Sequence, residues 1–291
     1  MQIPAILVLG ATGRLGAMLR RYWPLCWPRY GRDADVLWQA RPGRIPAGAP
    51  GDWAGIDLLN DAAGLERAAA GRASIVCLAG VVPGTASSPG GDLSLNTALA
   101  LAAVTAGAAT GARVLLASSA AVYGARSGLL SEAMAPAPVA DYGRAKAEME
   151  DHAAALAARL GAQVCALRIG NVAGADAILG GWRPGFILDR FADGRTPRRS
   201  YIGPADLARV LAGLATTPGR LPPVLNLAAP RPVEMGALLD AAGLDWTPRP
   251  APGTAIAEVA LDTAVLQGLS PLPASASLPA TMVAQWRGPH P

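Results

Sequence analysis

Histidine and lysine are almost missing from this chain. Its 291 residues include two histidines, His152 and His290, and one lysine, Lys146. The three cysteines, Cys26, Cys77 and Cys165, lie far apart with no Cys-x-x-Cys spacing. A zinc site built from His and Cys is therefore not expected, and a Ser-His-Asp hydrolase would rest on His152 alone. Charged residues make up 16% and hydrophobic ones 52%, which excludes a disordered chain. Long apolar runs are also lacking: the best candidate, Thr97 to Ala109, falls short of the ~20 residues that cross a bilayer. Met1-Gln2-Ile3-Pro4 carries no basic leader, so neither an export signal nor a membrane span is expected. Scattered thiols then point to the cytoplasm. The net charge of +4 comes from arginine, with no basic run interleaved with aromatics. That pattern suits an anionic small molecule and gives no sign of nucleic-acid binding. Proton transfer is left to tyrosine, lysine or carboxylates.

What is present alternates between strand and helix. Ile6–Leu9, Val36–Trp38, Ser74–Ala79, Arg113–Ser119 and Gln163–Arg168 read as buried strands. Leu15–Trp23, Leu95–Ala109 and Tyr142–Leu160 read as helices, the last closed by Gly161. This order predicts an α/β fold, a doubly wound parallel sheet of the Rossmann type. Beyond Asn171 the pattern loosens. Residues 174–200 show little periodicity, Asp206–Ala215 and Val233–Ala242 read as helices, and Val224–Leu227 and Ala257–Leu261 as strands. The expected division is a dinucleotide-binding domain over 1–170 and a smaller substrate-binding region over 171–291. The latter would return a strand and a helix, from about 200–230, to the sheet.

The first strand and first helix are joined by Gly10-Ala11-Thr12-Gly13-Arg14-Leu15-Gly16. One glycine makes the turn, one lets the backbone approach a pyrophosphate, and one lets helix and strand pack closely. The helix N-terminus offers unpaired N–H groups to the phosphates. A NAD binder carries an acidic residue at the end of the second strand. Here that end reads Gln39-Ala40-Arg41, with Arg44 and Arg14 nearby. An arginine suits a 2′-phosphate, so NADP is the expected cofactor, with NAD as the other choice.

Tyr142 and Lys146 stand four residues apart, about 40° around a helix and one turn along it. A nearby ammonium lowers the phenol pKa from ~10 and prepares the tyrosine for proton exchange with an alcohol or carbonyl. Ser119 ends a strand, where ligands of open α/β sheets bind.

Taken together these segments resemble the extended short-chain dehydrogenase/reductase family, also called NAD-dependent epimerases/dehydratases. The similarity runs in order over roughly residues 3–215. It comprises the glycine turn, Asp57-Leu58, Leu78-Ala79-Gly80, Asn96, Ser118-Ser119-Ala120-Ala121-Val122-Tyr123-Gly124, Tyr142 with Lys146, the segment Leu167–Gly174, and Tyr201–Ala208. The resemblance implies that Ser119, Tyr142, Lys146 and Asn96 are catalytic. It implies that Asp57 and Leu58 meet adenine, that Leu78, Ala79 and Gly80 pass the cofactor, and that Asn171 leads to the substrate. It also implies a homodimer through the helices that begin near Asn96 and Tyr142. The sequence departs from the family pattern at Ala173-Gly174, where an aromatic and Gly-Pro are common, and at Gly203, where a larger residue is common. The acidic pair that dehydratases carry beside the serine is replaced by Ala120 and Ala121.

The expected function is NAD(P)-dependent hydride transfer to or from a carbonyl or alcohol, as an oxidoreductase or epimerase, with nucleotide sugars among the substrates implied. The alternative is a non-catalytic NADP-sensing regulator on the same fold. Trp182, Arg183 and Arg199, in or near the loose segment, are the remaining candidates for substrate contact. His152 falls about 80° from Tyr142 around its helix and should miss the site.

Overall fold

The structure, a computed structural model, describes residues 5–26, 35–83 and 91–288. His290 and Met1 to Pro4 lie outside them. The strands of the main sheet are β1 (Ile6–Leu9), β2 (Val36–Ala40), β3 (Asp52–Gly55), β4 (Ser74–Cys77), β5 (Arg113–Ser119), β7 (Val164–Ile169) and β12 (Val224–Leu227). They form one sheet in the order β12-β7-β5-β4-β1-β2-β3, with every pairing parallel. This is the doubly wound Rossmann arrangement that the alternation predicts. Strand order reverses between β1 and β4, and a crevice forms at their C-terminal ends.

Both faces of the sheet are buried, so alternate residues of one strand enter opposite cores. Ile6 and Val8 join Val76, Leu115, Cys165 and Leu167 in one core. Leu7 and Leu9 join Ile75, Val114 and Leu116 in the other. The first face is covered by α1 (Arg14–Cys26) and α5 (Pro204–Thr216), tied together where the Trp23 indole donates to the Ala208 carbonyl at 2.7 Å. The second face is covered by α2 (Ala62–Ala69), α3 (Leu95–Thr110) and α4 (Asp141–Leu160). Gly161 caps α4 in the left-handed conformation that the sequence predicts.

The later chain departs from the sequence reading in several places. β3 has no apolar run, because Asp-Trp-Ala-Gly is an edge strand with exposed ends. Residues 174–200 hold β9 (Ile187–Arg190) and β10 (Arg198–Arg199). Val233 and Glu234 form β13, and helix α6 covers only Met235–Ala241. β13, β10, β15 (Glu258–Leu261) and β6 (Gly128–Leu130) make a second sheet. Two strand pairs, β8 (Asn171–Val172) with β11 (Tyr201–Ile202) and β9 with β14 (Thr247–Pro250), complete the described strands. These strands are two to four residues long, below the length at which alternation can be read. Helices α7 (Ala264–Leu269) and α8 (Pro279–Arg287) end the described chain.

A buried polar chain runs beneath the crevice. The Glu150 carboxylate on α4 accepts the Ser118 hydroxyl from β5 and the Arg168 guanidinium from β7, with Nη2 at 2.7 Å and Nε at 3.1 Å. Arg168 lies over the Tyr123 ring at 4.7 Å. The Tyr123 hydroxyl donates to Asn226 of β12 at 2.8 Å, and Asn226 donates to the Leu130 and Asp262 carbonyls of the second sheet and its exit. The Arg168 and Glu150 side chains are only 4% and 6% exposed, so each charge depends on the other. Removing one partner of such a pair costs about 3–5 kcal/mol, while replacing both with apolar groups costs far less. Glu150→Ala is expected to lower stability by that amount, read from the urea midpoint. The double variant Glu150→Leu/Arg168→Met is expected to recover most of the loss.

Candidate active site

The glycine turn sits where backbone must pass backbone. Gly10 has a φ of +77°, and a Cβ there would stand 2.6 Å from the Ala79 nitrogen just past the end of β4. A Cβ on Gly16 would stand 2.5 Å from the Ala11 oxygen, so α1 could not close onto the turn. The turn is anchored from below by Gln39, whose side-chain oxygen accepts from Gly10 N at 2.9 Å and whose amide donates to Ile56 O at 2.6 Å. Gln39 is absent from the candidates that the sequence supplies. Its one signal there is a polar residue inside a buried strand, which has to find partners.

A cavity of about 340 Å³ opens above the C-terminal ends of β1, β4 and β5. Gly13, Arg14, Leu15 and Gly16 form its floor at the N-terminus of α1. Leu78, Gly80 and Asn96 form a second side, Ser119, Tyr142 and Lys146 a third, and Asn171 with Asp176 the outer wall. Asn96 is fully buried. Its side chain accepts from Val81 N and donates to the Val81 and Leu93 carbonyls, each at 3.1 Å. It thus fixes the bend after β4. A Cβ on Gly80 would stand 2.7 Å from the Asn96 side-chain oxygen and 3.4 Å from Lys146 Nζ. The space a dinucleotide needs along this path is the space that glycine leaves.

Tyr142 and Ser119 line the same side of the cavity, and the Ser119 hydroxyl pulls the phenol pKa down. Lys146 Nζ donates to the Ala117 carbonyl at 2.8 Å and lies 5.9 Å from the Tyr142 ring centre. Here the electrostatics differ from the sequence expectation of a phenol lowered by the lysine. Burial raises the Tyr142 phenol above its usual value, while the nearby Ser119 hydroxyl and the Arg14 charge pull it down. The lysine ammonium is committed to a carbonyl behind the ring. Burial lowers Lys146 from 10.5 to about 8, against the pull of Cys77 and Glu150. Arg14 reaches across the mouth and donates to the Ala175 carbonyl at 2.9 Å.

The other candidates fall into two groups. Arg41 is exposed just past β2, and its charge falls on Asp57 just past β3. The Asp57 carboxylate accepts from Leu59 N, Asn60 N and the Asn60 amide, which lower its pKa. Leu58 is buried beside it. Thr12 is exposed on the glycine turn. Trp182, Arg183 and Arg199, in contrast, are not among the residues that line the cavity. Trp182 donates to Asp245 O, Arg183 to Gly181 O, and Arg199 to Arg198 O. The segment expected to bring them in folds as β9 and β10, which pair with strands of the C-terminal region. His152 is exposed, with its ring against Glu148 O. Asp176, another residue absent from the sequence candidates, holds the outer wall. Its carboxylate accepts from the backbone of Gly174, Ile178, Leu179 and Gly180 and from the Tyr201 hydroxyl. The signal for it is an aspartate placed to close a turn.

Comparisons with known proteins identify the family. The model of the NAD dependent epimerase/dehydratase family matches residues 6–227. No curated protein sequence matches the chain. Among solved structures, MoeE5 in complex with UDP-glucuronic acid and NAD is similar at 24% identity and a TM-score of 0.71, covering 97% of this chain and 98% of that one. The UDP-Glc/GlcNAc 4-epimerase from Campylobacter jejuni is similar at 18% identity and a TM-score of 0.75, with coverage of 97% and 98%. The UDP-glucose 4-epimerase from Thermus thermophilus, in complex with NAD, is similar at 21% identity and a TM-score of 0.70, with coverage of 98% and 99%. Such likenesses establish the fold, and the family model covers the sheet, the glycine turn and the tyrosine-lysine helix in one match. The chain belongs to the NAD dependent epimerase/dehydratase family and is an enzyme of the extended short-chain dehydrogenase type.

Proposed function

We propose that this enzyme transfers hydride to or from a carbon bearing a carbonyl or alcohol, with NADP preferred over NAD and a nucleotide sugar as substrate. The observation that carries the reading is that Tyr142, Lys146 and Ser119 line one side of the cavity that the glycine turn floors. The residues fit a dinucleotide. Gly10, Thr12, Gly13, Arg14, Leu15 and Gly16 take the pyrophosphate, Leu78, Ala79 and Gly80 line its path, and Asp57 and Leu58 meet the adenine. When bound, the nicotinamide supplies and recovers a hydride. Tyr142 gives its phenolic proton to the substrate oxygen as carbonyl becomes alcohol, and takes it back in reverse. Ser119 steadies that oxygen, Lys146 holds the nicotinamide ribose, Ser119 and Arg14 favour the tyrosinate left behind, and Asn96 fixes the bend after β4. Residues 1–170 serve the cofactor and 171–291 the substrate, with Asn171 lining the cavity from the substrate side. The sensing alternative needs no buried ammonium beside a phenol, and Lys146 is costly to bury.

Cofactor preference rests on Arg41. The carboxylate at this rim, Asp57, is already bonded to Leu59 and Asn60, while Arg41 is exposed. The small side chains along α3 and α4 suit a homodimer, and the free cysteines suit a reducing cytoplasm.

Three outcomes are expected. Tyr142→Phe should reduce turnover of UDP-glucose or another accepted carbonyl or nucleotide-sugar substrate by at least about 100-fold, the low end of general acid–base contributions. NADPH affinity, read by fluorescence titration, should be retained; unchanged turnover would remove Tyr142 from the mechanism. Arg41→Ala should weaken NADPH about tenfold or more, as loss of a charge-assisted hydrogen bond does, and leave NADH within about twofold; equal losses would remove the NADP assignment.

The third outcome concerns pH. Carbonyl reduction needs the Lys146 charge, so kcat/KM should fall as pH rises through about 8. Because the folded pKa lies below the unfolded one, the charged lysine destabilises the fold below about pH 8, and that cost fades as pH rises toward 10.5. Lys146→Met should therefore stabilise the fold at pH 7 by on the order of 3 kcal/mol, lose that gain above pH 10.5, and be inactive. A melting series across pH reads this.

A further inference from the structure

The C-terminal helix α8 touches the turn that walls the cavity and the C-terminal end of α1. A Cβ on Gly174, at φ +84°, would overlap Trp286 Cδ1, so the indole rests directly on the turn that forms the outer wall. A Cβ on Gly203 would overlap the Gln285 side-chain oxygen. That oxygen accepts from Ala205 N and Asp206 N, each at 3.1 Å, and the Gln285 amide donates to the Asp206 carboxylate at 2.8 Å. The glycine at 203 thus makes room for Gln285 to cap α5. The same helix is held to the dinucleotide-binding side: the Tyr22 hydroxyl of α1 donates to the Gln285 carbonyl, and Arg21 donates to the Arg287 carbonyl at 2.9 Å.

The wall is bonded within itself and to two neighbouring elements. Asp176 ties its backbone into a turn, and Arg14 and Tyr201 meet it from α1 and β11. Besides these bonds, the turn is packed at Gly174 directly against the Trp286 indole of α8. We propose that Trp286 and Gln285 are positioning residues for the reaction: acting through the turn at 174–180, they set the distance between the substrate wall and the cofactor helix α1. This rests on the hydride-transfer reading above. Neither side chain lines the cavity, so both act through the wall.

The test uses the full chain with Trp286→Ala, Trp286→Phe and Gln285→Ala, and with NADPH and UDP-glucose as probes. In Trp286→Ala, amide exchange over 175–180 should quicken at least about tenfold. KM for UDP-glucose should rise about tenfold, with kcat and NADPH affinity within about twofold. Trp286→Phe should restore exchange and KM to within about threefold of the starting protein. Gln285→Ala should shift the same two readouts in the same direction, and it decides the matter if Trp286→Ala does not fold. Unchanged exchange over 175–180 overturns the proposal. So does an equal fall in NADPH affinity, which would make α8 a general brace of the fold. If the unmodified enzyme binds NADPH and ignores UDP-glucose, the substrate assignment fails. The exchange and NADPH readouts then still decide the role of α8, faster exchange with intact NADPH affinity supporting it.

Discussion

A carboxylate placed in a protein interior has to be answered there, and the Glu150 side chain is answered by three elements. Ser118 comes from β5, Arg168 from β7, and Lys146 faces it one turn earlier on the same helix. Satisfying that one group sets the register of β5 against α4, because Ser118 must point down into the network. Ser119, the next residue, then points up into the cavity, since successive strand residues face opposite sides. The cavity's serine is aimed by its neighbour. The same helix carries Tyr142 two turns before Glu150, so the phenol and the serine hydroxyl meet because the buried carboxylate holds both of their supports.

Lys146 shows what this arrangement costs. A lysine that is 4% exposed is penalised by burial, and the Ala117 carbonyl, the Glu150 charge and the Met149 sulfur offset only part of the penalty. An uncharged side chain would be more stable here. The position follows function against stability, as active-site groups often do. It also explains why the tyrosine is not lowered in this structure: the ammonium is behind the ring, bonded to backbone, and burial dominates the phenol.

The cofactor half of the site is legible in the sequence because its determinants are local. The glycine turn spans seven residues, the tyrosine and lysine share one helical turn, and strands of four to seven residues carry their own apolar signatures. What stays hidden depends on partners distant in sequence. Gln39 matters through Gly10 and Ile56, Glu150 through Arg168 and Ser118, and Gln285 through Ala205 and Asp206. Trp182 and Arg183 are candidates in the sequence because they lie in an arginine- and glycine-rich stretch. That composition cannot reveal β9 pairing with β14, which carries the stretch away from the cavity wall. A charge in a loop has no direction until the loop has a partner.

The two halves of the site are therefore built by different means. On the cofactor side, backbone lies against backbone at Gly10 and Gly16 with no room for a methyl group. That geometry tolerates almost no variation and serves any ligand with the same pyrophosphate. On the substrate side, side chains set the spacing: Asp176 shapes the turn, Trp286 backs it and Gln285 fixes the helix that carries Trp286. Side chains can be exchanged one at a time without disturbing the sheet. On the proposed hydride-transfer reading, a change in substrate size falls on 171–180 and on α8 together, because a wider wall needs a displaced indole, while the tyrosine, serine and lysine stay where Glu150 holds them.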